Sequence, residues 1–284
     1  MRPVHPLSDS ELGEHVANLD RDGYTIIRNQ IAPECLGPLR DIAQRAADDY
    51  IAAWRGGMKL SEVNIGDRYG TRKFDLNPNA RACFLWGDAA IDLLDHDTVH
   101  AISEQALGTY HFFDLVANTQ RYNPGKQSEG IHRDYRPGLT ANGKHRGLWF
   151  FFLLDGYTAE NGATSVIPGT HRFKADENPG VPDSNPNHYS NRVQVIGDPG
   201  DLLVVNAACL HCAGMNQTRK PRRTLNIRVM QPDGKFHYNA WGLAGPGRQA
   251  KASARVKRFM QPPAERVAEL RTDWAVMPSA NEVD

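Results

Sequence analysis

Arg222-Arg223-Thr224-Leu225-Asn226-Ile227-Arg228-Val229 alternates residue by residue, placing Arg222, Thr224, Asn226 and Arg228 on one side and Arg223, Leu225, Ile227 and Val229 on the other. A period of two is that of an extended strand, in which successive side chains point to opposite faces. Working back along the chain, residues 111–122, 147–154, 163–167, 192–196 and 201–206 have the same extended character. Turn signals separate them: Asn123-Pro124-Gly125, Glu160-Asn161-Gly162, Pro168-Gly169 and Asp198-Pro199-Gly200. Several short strands at close spacing predict a sandwich or barrel, here a jelly roll.

Upstream of residue 110 the period is helical. Ser8 followed by Glu11 has the form of a capping box, and 22–27 reads as a short strand. Pro33 sits where a first helical turn tolerates proline. Leu36, Leu39, Ile42, Ala46, Tyr50 and Trp54 then recur at three- and four-residue spacing, giving a helix one apolar face. A stretch rich in glycine and charge, 56–79, leads into a second helical region over 86–107 and reads as a lid or binding segment. A short helix is predicted over 262–271. The organisation is one domain: a mostly helical part over 1–109, a β core over 110–232 and an extension over 233–284. The expected class is therefore mainly β with flanking helices.

A chain of 284 residues supports one large core. Its 33 basic and 33 acidic side chains balance, so no general attraction to nucleic acid or to an anionic membrane is expected, and a small-molecule partner is favoured. No apolar run reaches the roughly 20 residues of a membrane span, and Met1-Arg2-Pro3-Val4-His5-Pro6 lacks the apolar core of a secretory signal. A cytoplasmic protein is predicted. Cys35, Cys83, Cys209 and Cys212 are too scattered for a disulfide scaffold. Cys209 and Cys212 form a C-x-x-C, but no second pair completes a zinc cage, and a buried structural role is expected.

His132 and Asp134 stand two apart in Ile131-His132-Arg133-Asp134-Tyr135, so on a strand both project to one side while Arg133 projects to the other. His211, in Leu210-His211-Cys212-Ala213-Gly214, adds a second imidazole. Two histidines and one carboxylate occupy one face of an octahedral metal and leave three positions open, the ligand pattern of non-haem Fe(II) oxygenases. Arg222 follows His211 by eleven residues and would suit the far carboxylate of a chelating co-substrate. The polar face of residues 222–228 has two readings. It meets water in a half-solvated sheet, or it turns inward and lines a pocket.

The ordered set His132-Arg133-Asp134, Glu160-Asn161-Gly162-Ala163, Ile167-Pro168-Gly169-Thr170-His171, Gly200-Asp201-Leu202-Leu203-Val204-Val205-Asn206, then His211, Asn216 and Arg222, resembles the phytanoyl-CoA dioxygenase family of Fe(II) and 2-oxoglutarate-dependent oxygenases over roughly residues 20–232. The resemblance implies a double-stranded β-helix, the jelly roll of cupin-like proteins. It implies iron on His132, Asp134 and His211, the distal carboxylate of 2-oxoglutarate on Arg222, and O2 as oxidant. By position it also places Thr119 and Trp149 beside 2-oxoglutarate and matches Lys73 to a basic residue of the upstream loop. Ala213 departs from members that carry a hydroxyl there. The likeness implies that Asp134 favours hydroxylation, with desaturation or ring formation still open, since related halogenases replace that carboxylate with a small residue and leave room for chloride. Arg121, Tyr135 and Arg228, with Arg136 and Arg146 nearby, are candidate substrate contacts, suggesting an acidic or zwitterionic small molecule or a specialised metabolite. The competing expectation is a cupin-like metal-dependent isomerase or hydrolase, which would not use 2-oxoglutarate or need Arg222.

Overall fold

The computed structural model describes residues 3–58, 79–122, 130–135, 139–140, 143–173, 189–273, 276 and 278. Helix α1, Asp9–Asp22, begins at the expected cap. The Ser8 hydroxyl accepts from the Glu11 N–H, the Glu11 carboxylate accepts from the Ser8 N–H at 2.8 Å, and Gly23 ends the helix in the left-handed region. Strand β1, Tyr24–Ile27, and helix α2, Pro33–Arg55, follow. Helix α2 buries Leu36, Leu39, Ile42, Ala46 and Tyr50 along the face their spacing predicts. After β2, Asn79–Ala80, the helical region divides into α3, Asp88–Leu94, and α4, Asp97–Leu107.

The strands are β3 (His111–Gln120), β4 (Gly147–Leu153), β5 (Ser165–Val166), β6 (Val193–Gln194), β7 (Leu202–Asn206), β8 (His211–Cys212) and β9 (Arg222–Met230). They form a six-stranded sheet ordered β1-β7-β4-β9-β3-β2 and a three-stranded sheet ordered β6-β5-β8, and each pair of neighbouring strands is antiparallel. The pleat sorts the large sheet into two faces. Leu115, Ala117, Phe150, Phe152, Val204, Leu225 and Ile227 pack with the helices in one apolar cluster. Trp149, Phe151, Leu153, Leu203 and Val205 form a second with Tyr157 and Val166, which carry the inner face toward the small sheet. Each such side chain contributes about 1.5–3 kcal/mol on leaving water, and Phe150→Ala would cost about 3–5 kcal/mol through the cavity it leaves.

The C-terminal part departs from expectation. Among the described residues it carries two α-helices, α5 (Ala240–Lys251) and α6 (Ala254–Met260), and the predicted helix over 262–271 is a 3-10 turn, Ala264–Glu269. Gly245 breaks α5 at φ 73° before Pro246, and α6 buries only Val256, Phe259 and Met260, so neither helix is long enough to show a sustained period. No helix among the described residues is long and apolar enough to cross a membrane. Cys83, Cys209 and Cys212 are buried and take part in no disulfide among the described residues.

Candidate active site

His132 lies in no extended strand; a single antiparallel bridge to His211, at the start of β8, holds it in place. Each of the two residues donates its backbone N–H to the other's carbonyl at 3.0 Å, which sets the imidazoles side by side with ring centroids 4.5 Å apart. The Asp134 N–H donates to the Ala207 carbonyl at 3.1 Å, just beyond β7. Its carboxylate then faces both rings, with Oδ1 3.7 Å from His132 Nε2 and Oδ2 3.6 Å from His211 Nε2. One ligand atom from each of the three residues lies within 4.8 Å of the others, the arrangement of a site for a single cation.

The surrounding groups put each ligand in its binding form. His132 Nδ1 is 3.0 Å from the Gly130 carbonyl and His211 Nδ1 is 2.9 Å from the Cys209 carbonyl. A carbonyl can only accept, so both Nδ1 atoms carry the proton and both Nε2 lone pairs face the site. The indole N–H of Trp149 donates to Asp134 Oδ2. Burial pushes the Asp134 carboxyl up, but the Arg228 guanidinium, the two imidazoles and the Trp149 N–H outweigh it and hold the acid at about 2. Burial and the neighbouring His132 hold His211 at about 4 against the pull of Asp134. At neutral pH the carboxylate is ionised and His211 is neutral, as metal ligation requires.

Strand β9 supplies the rest of the pocket. Its register against β4 pairs Thr224 with Leu153, Asn226 with Phe151 and Arg228 with Trp149, so the polar face is the inner one. Arg222 is 2% exposed, its guanidinium lies 4.6 Å from the Tyr157 ring centroid, and its Nε and Nη1 have no hydrogen-bond partner. Thr224 Oγ1, Asn226 Oδ1 and Arg228 Nε on the same face are buried and unpartnered as well. An unpaired buried cation is costly, and a carboxylate entering the pocket would satisfy it. Asn216 secures the loop between His211 and Arg222 by donating to the Gln120 and Lys220 carbonyls at 3.0 and 2.8 Å. Opposite it, Gly162 (φ 81°) packs so closely that a Cβ would come 2.6 Å from the Gly214 carbonyl, which explains glycine in the Glu160-Asn161-Gly162 turn.

Other expected residues are distributed differently. Thr119 pairs with Arg223 in the β3–β9 register, so it faces the helices; Gln120, paired with Arg222, is its neighbour on the pocket side. Arg121 is drawn outward by an ion pair with Asp48 of α2 at 2.7 Å. Trp149 belongs to the site, but its N–H serves Asp134. Tyr135 is partly buried against the inner apolar cluster, beside Asp134. Arg133 points away, as expected, donating to the Ala208 and Thr170 carbonyls. Arg146 pairs with Asp233 at 3.2 Å. Lys73 and Arg136 lie outside the described residues. Tyr157, Phe113 and His237 were not expected; Tyr157 reaches Arg222 and Phe113 stacks on Trp149 only through tertiary packing.

Comparison with known proteins identifies the family. A family model described as Phytanoyl-CoA dioxygenase (PhyH) matches residues 19–224. Dioxygenase olcK of Penicillium canescens is 29% identical over 220 residues, covering 74% of this chain and 67% of that protein. Iron/alpha-ketoglutarate-dependent dioxygenase penM of Penicillium thymicola is 26% identical over 146 residues, 49% of this chain and 44% of that one. In fold the chain is similar to EctD from S. alaskensis, solved with 2-oxoglutarate and 5-hydroxyectoine, with a TM-score of 0.61 at 18% identity over 94% of this chain and 93% of that one. The chain belongs to the phytanoyl-CoA dioxygenase family, the Fe(II) and 2-oxoglutarate-dependent oxygenases of jelly-roll fold.

Proposed function

We propose that this protein uses Fe(II), 2-oxoglutarate and O2 to hydroxylate an unactivated C–H bond of a small-molecule metabolite. The observation that carries this reading is Arg222, a buried guanidinium with two unpartnered nitrogens on the inner face of β9. A metal-dependent isomerase or hydrolase would have no task for such a cation, whereas a dicarboxylate co-substrate needs one.

When bound, Fe(II) with 2-oxoglutarate would supply the electrons that activate O2 for attack on the substrate. His132, Asp134 and His211 would hold the metal from one side and leave the other open. Arg222 would pair with the far carboxylate of the co-substrate, with the Tyr157 ring beneath its guanidinium. Trp149 orients Asp134, and the inner apolar cluster of Trp149, Phe151, Leu153 and Val205 forms the wall of β4 and β7 behind it. A carboxylate at Asp134, where related halogenases have a small residue, supports hydroxylation over halogenation.

Anaerobic titration with Fe(II) and then 2-oxoglutarate tests the reading. A weak visible charge-transfer band is expected when both are present. Metal-loaded protein that develops no band on adding 2-oxoglutarate would overturn the assignment.

A further inference from the structure

Arg228 is a second cation in the pocket; its charge helps to keep Asp134 ionised, but its Nε makes no hydrogen bond to the metal-site residues or to any other described residue. It lies on the same strand face as Arg222 but six residues further on, about 20 Å along an extended strand, which is far longer than a 2-oxoglutarate molecule. Its guanidinium sits 5.4 Å from the Trp149 ring centroid, its Nε is buried without a hydrogen-bond partner, and among the described residues it makes no ion pair. The two carboxylates whose charge reaches it are already committed. Asp114 pairs with Arg81 and accepts from the Tyr238 hydroxyl and the Ala82 N–H, while Asp134 faces the imidazoles and the Trp149 N–H.

Rings surround this cation. Phe113 stacks on Trp149 with centroids 5.9 Å apart and planes 10° from parallel, and His237 meets Phe113 edge-on at 5.2 Å. Trp149 is 2% exposed and backs the wall, whereas Phe113 and His237 are only partly buried. Burial and the Arg81 charge hold His237 at about 4, so it presents a neutral imidazole at working pH. Aromatic walls favour a flat guest through offset or edge contacts, and a guanidinium beside them favours a carboxylate or phenolate on that guest.

We propose that the Arg228 end of the pocket is the primary-substrate subsite, taking the anionic oxygen of a flat, ring-bearing molecule against Phe113 and His237. This rests on the oxygenase reading above and adds the substrate class to it.

The test uses the protein loaded anaerobically with Fe(II) and saturating 2-oxoglutarate, so that the Arg222 end is occupied. The probes are 2-naphthoate and its neutral counterpart 2-naphthamide, followed by calorimetry. The carboxylate is expected to bind about tenfold or more tightly than the amide, the scale of one charge-assisted hydrogen bond. That preference should collapse in Arg228→Gln and largely survive in Arg228→Lys, with far-ultraviolet circular dichroism confirming that both variants fold. Equal affinities for the two probes, or a preference undiminished in Arg228→Gln, would overturn the proposal. So would loss of the charge-transfer band in Arg228→Gln alone, which would assign Arg228 to the co-substrate. A wild-type protein with no band at all would instead sink the oxygenase reading.

Discussion

The indole N–H of Trp149 donates to Oδ2 of Asp134, so an aromatic side chain on the inner face of β4 orients the one carboxylate among the three converging ligands. Partners of this kind set ligand direction and basicity, and their loss typically lowers metal affinity about 10–100-fold. Trp149→Phe keeps the ring and removes the donor. A Co(II) titration should show that loss with the thermal transition little changed; unchanged affinity would mean the hydrogen bond does not position Asp134.

Arg222 should respond in opposite directions with and without co-substrate. Its buried, unpartnered nitrogens make it a stability cost in the free protein, so Arg222→Met is expected to leave the thermal midpoint of metal-free protein unchanged or raised. In metal-loaded protein the same change should weaken 2-oxoglutarate binding by about 2–5 kcal/mol, the usual scale for removing one partner of a buried charge pair. Thermal shift with and without 2-oxoglutarate reads both, and a variant that still binds it at wild-type affinity would show that the anchor lies elsewhere.

Metal binding should stabilise the fold through His211, which joins the small sheet to the bridge at His132. A ligand present at a hundred times its dissociation constant adds about 2.7 kcal/mol. Wild-type protein should gain that much on Co(II) addition in chemical denaturation. His211→Ala should gain almost nothing; an equal gain would place the ion away from these three residues.

Asp114 is expected to be structural. It is fully buried and accepts from Arg81 Nε, the Ala82 N–H and the Tyr238 hydroxyl. Asp114→Asn removes the buried carboxylate charge that Arg81 Nε pairs with and should cost about 3–5 kcal/mol in urea unfolding. A loss below about 1 kcal/mol would show that Arg81 finds another partner.

Stability should fall on mild acidification. Burial holds His96 at about 4, and burial with the neighbouring His145 holds His171 at about 4. The unfolded chain takes up these protons near 6.5, so between pH 6.5 and 4 it binds more protons than the folded state, and stability is lost as pH drops. Each group contributes about 1.4 kcal/mol per pH unit well inside that window. Urea unfolding of metal-free protein at pH 7.5, 5.5 and 4.5 should show the decline, shallower in His96→Gln. A flat profile would contradict the burial argument.

Much of the site was legible because its chemistry is local or regularly spaced. His132 and Asp134 are two residues apart, and Arg222 follows His211 by eleven positions across a loop that Asn216 ties down through its own amide. The errors arose where a neighbour distant in the chain decides. Thr119 and Gln120 both suit a strand, and only the register against β9 turns Gln120 toward the pocket. Arg121 is captured by Asp48 on a helix 73 residues earlier.

Alternation along residues 222–229 was written in the sequence by itself, as were the capping box at Ser8 and the identity of the three metal-ligand candidates. Tertiary structure alone decided that the polar face of β9 is interior, because it lies in register with Trp149, Phe151 and Leu153 beneath a second sheet. A period of two states that a strand has two faces; which one is dry depends on what packs against it.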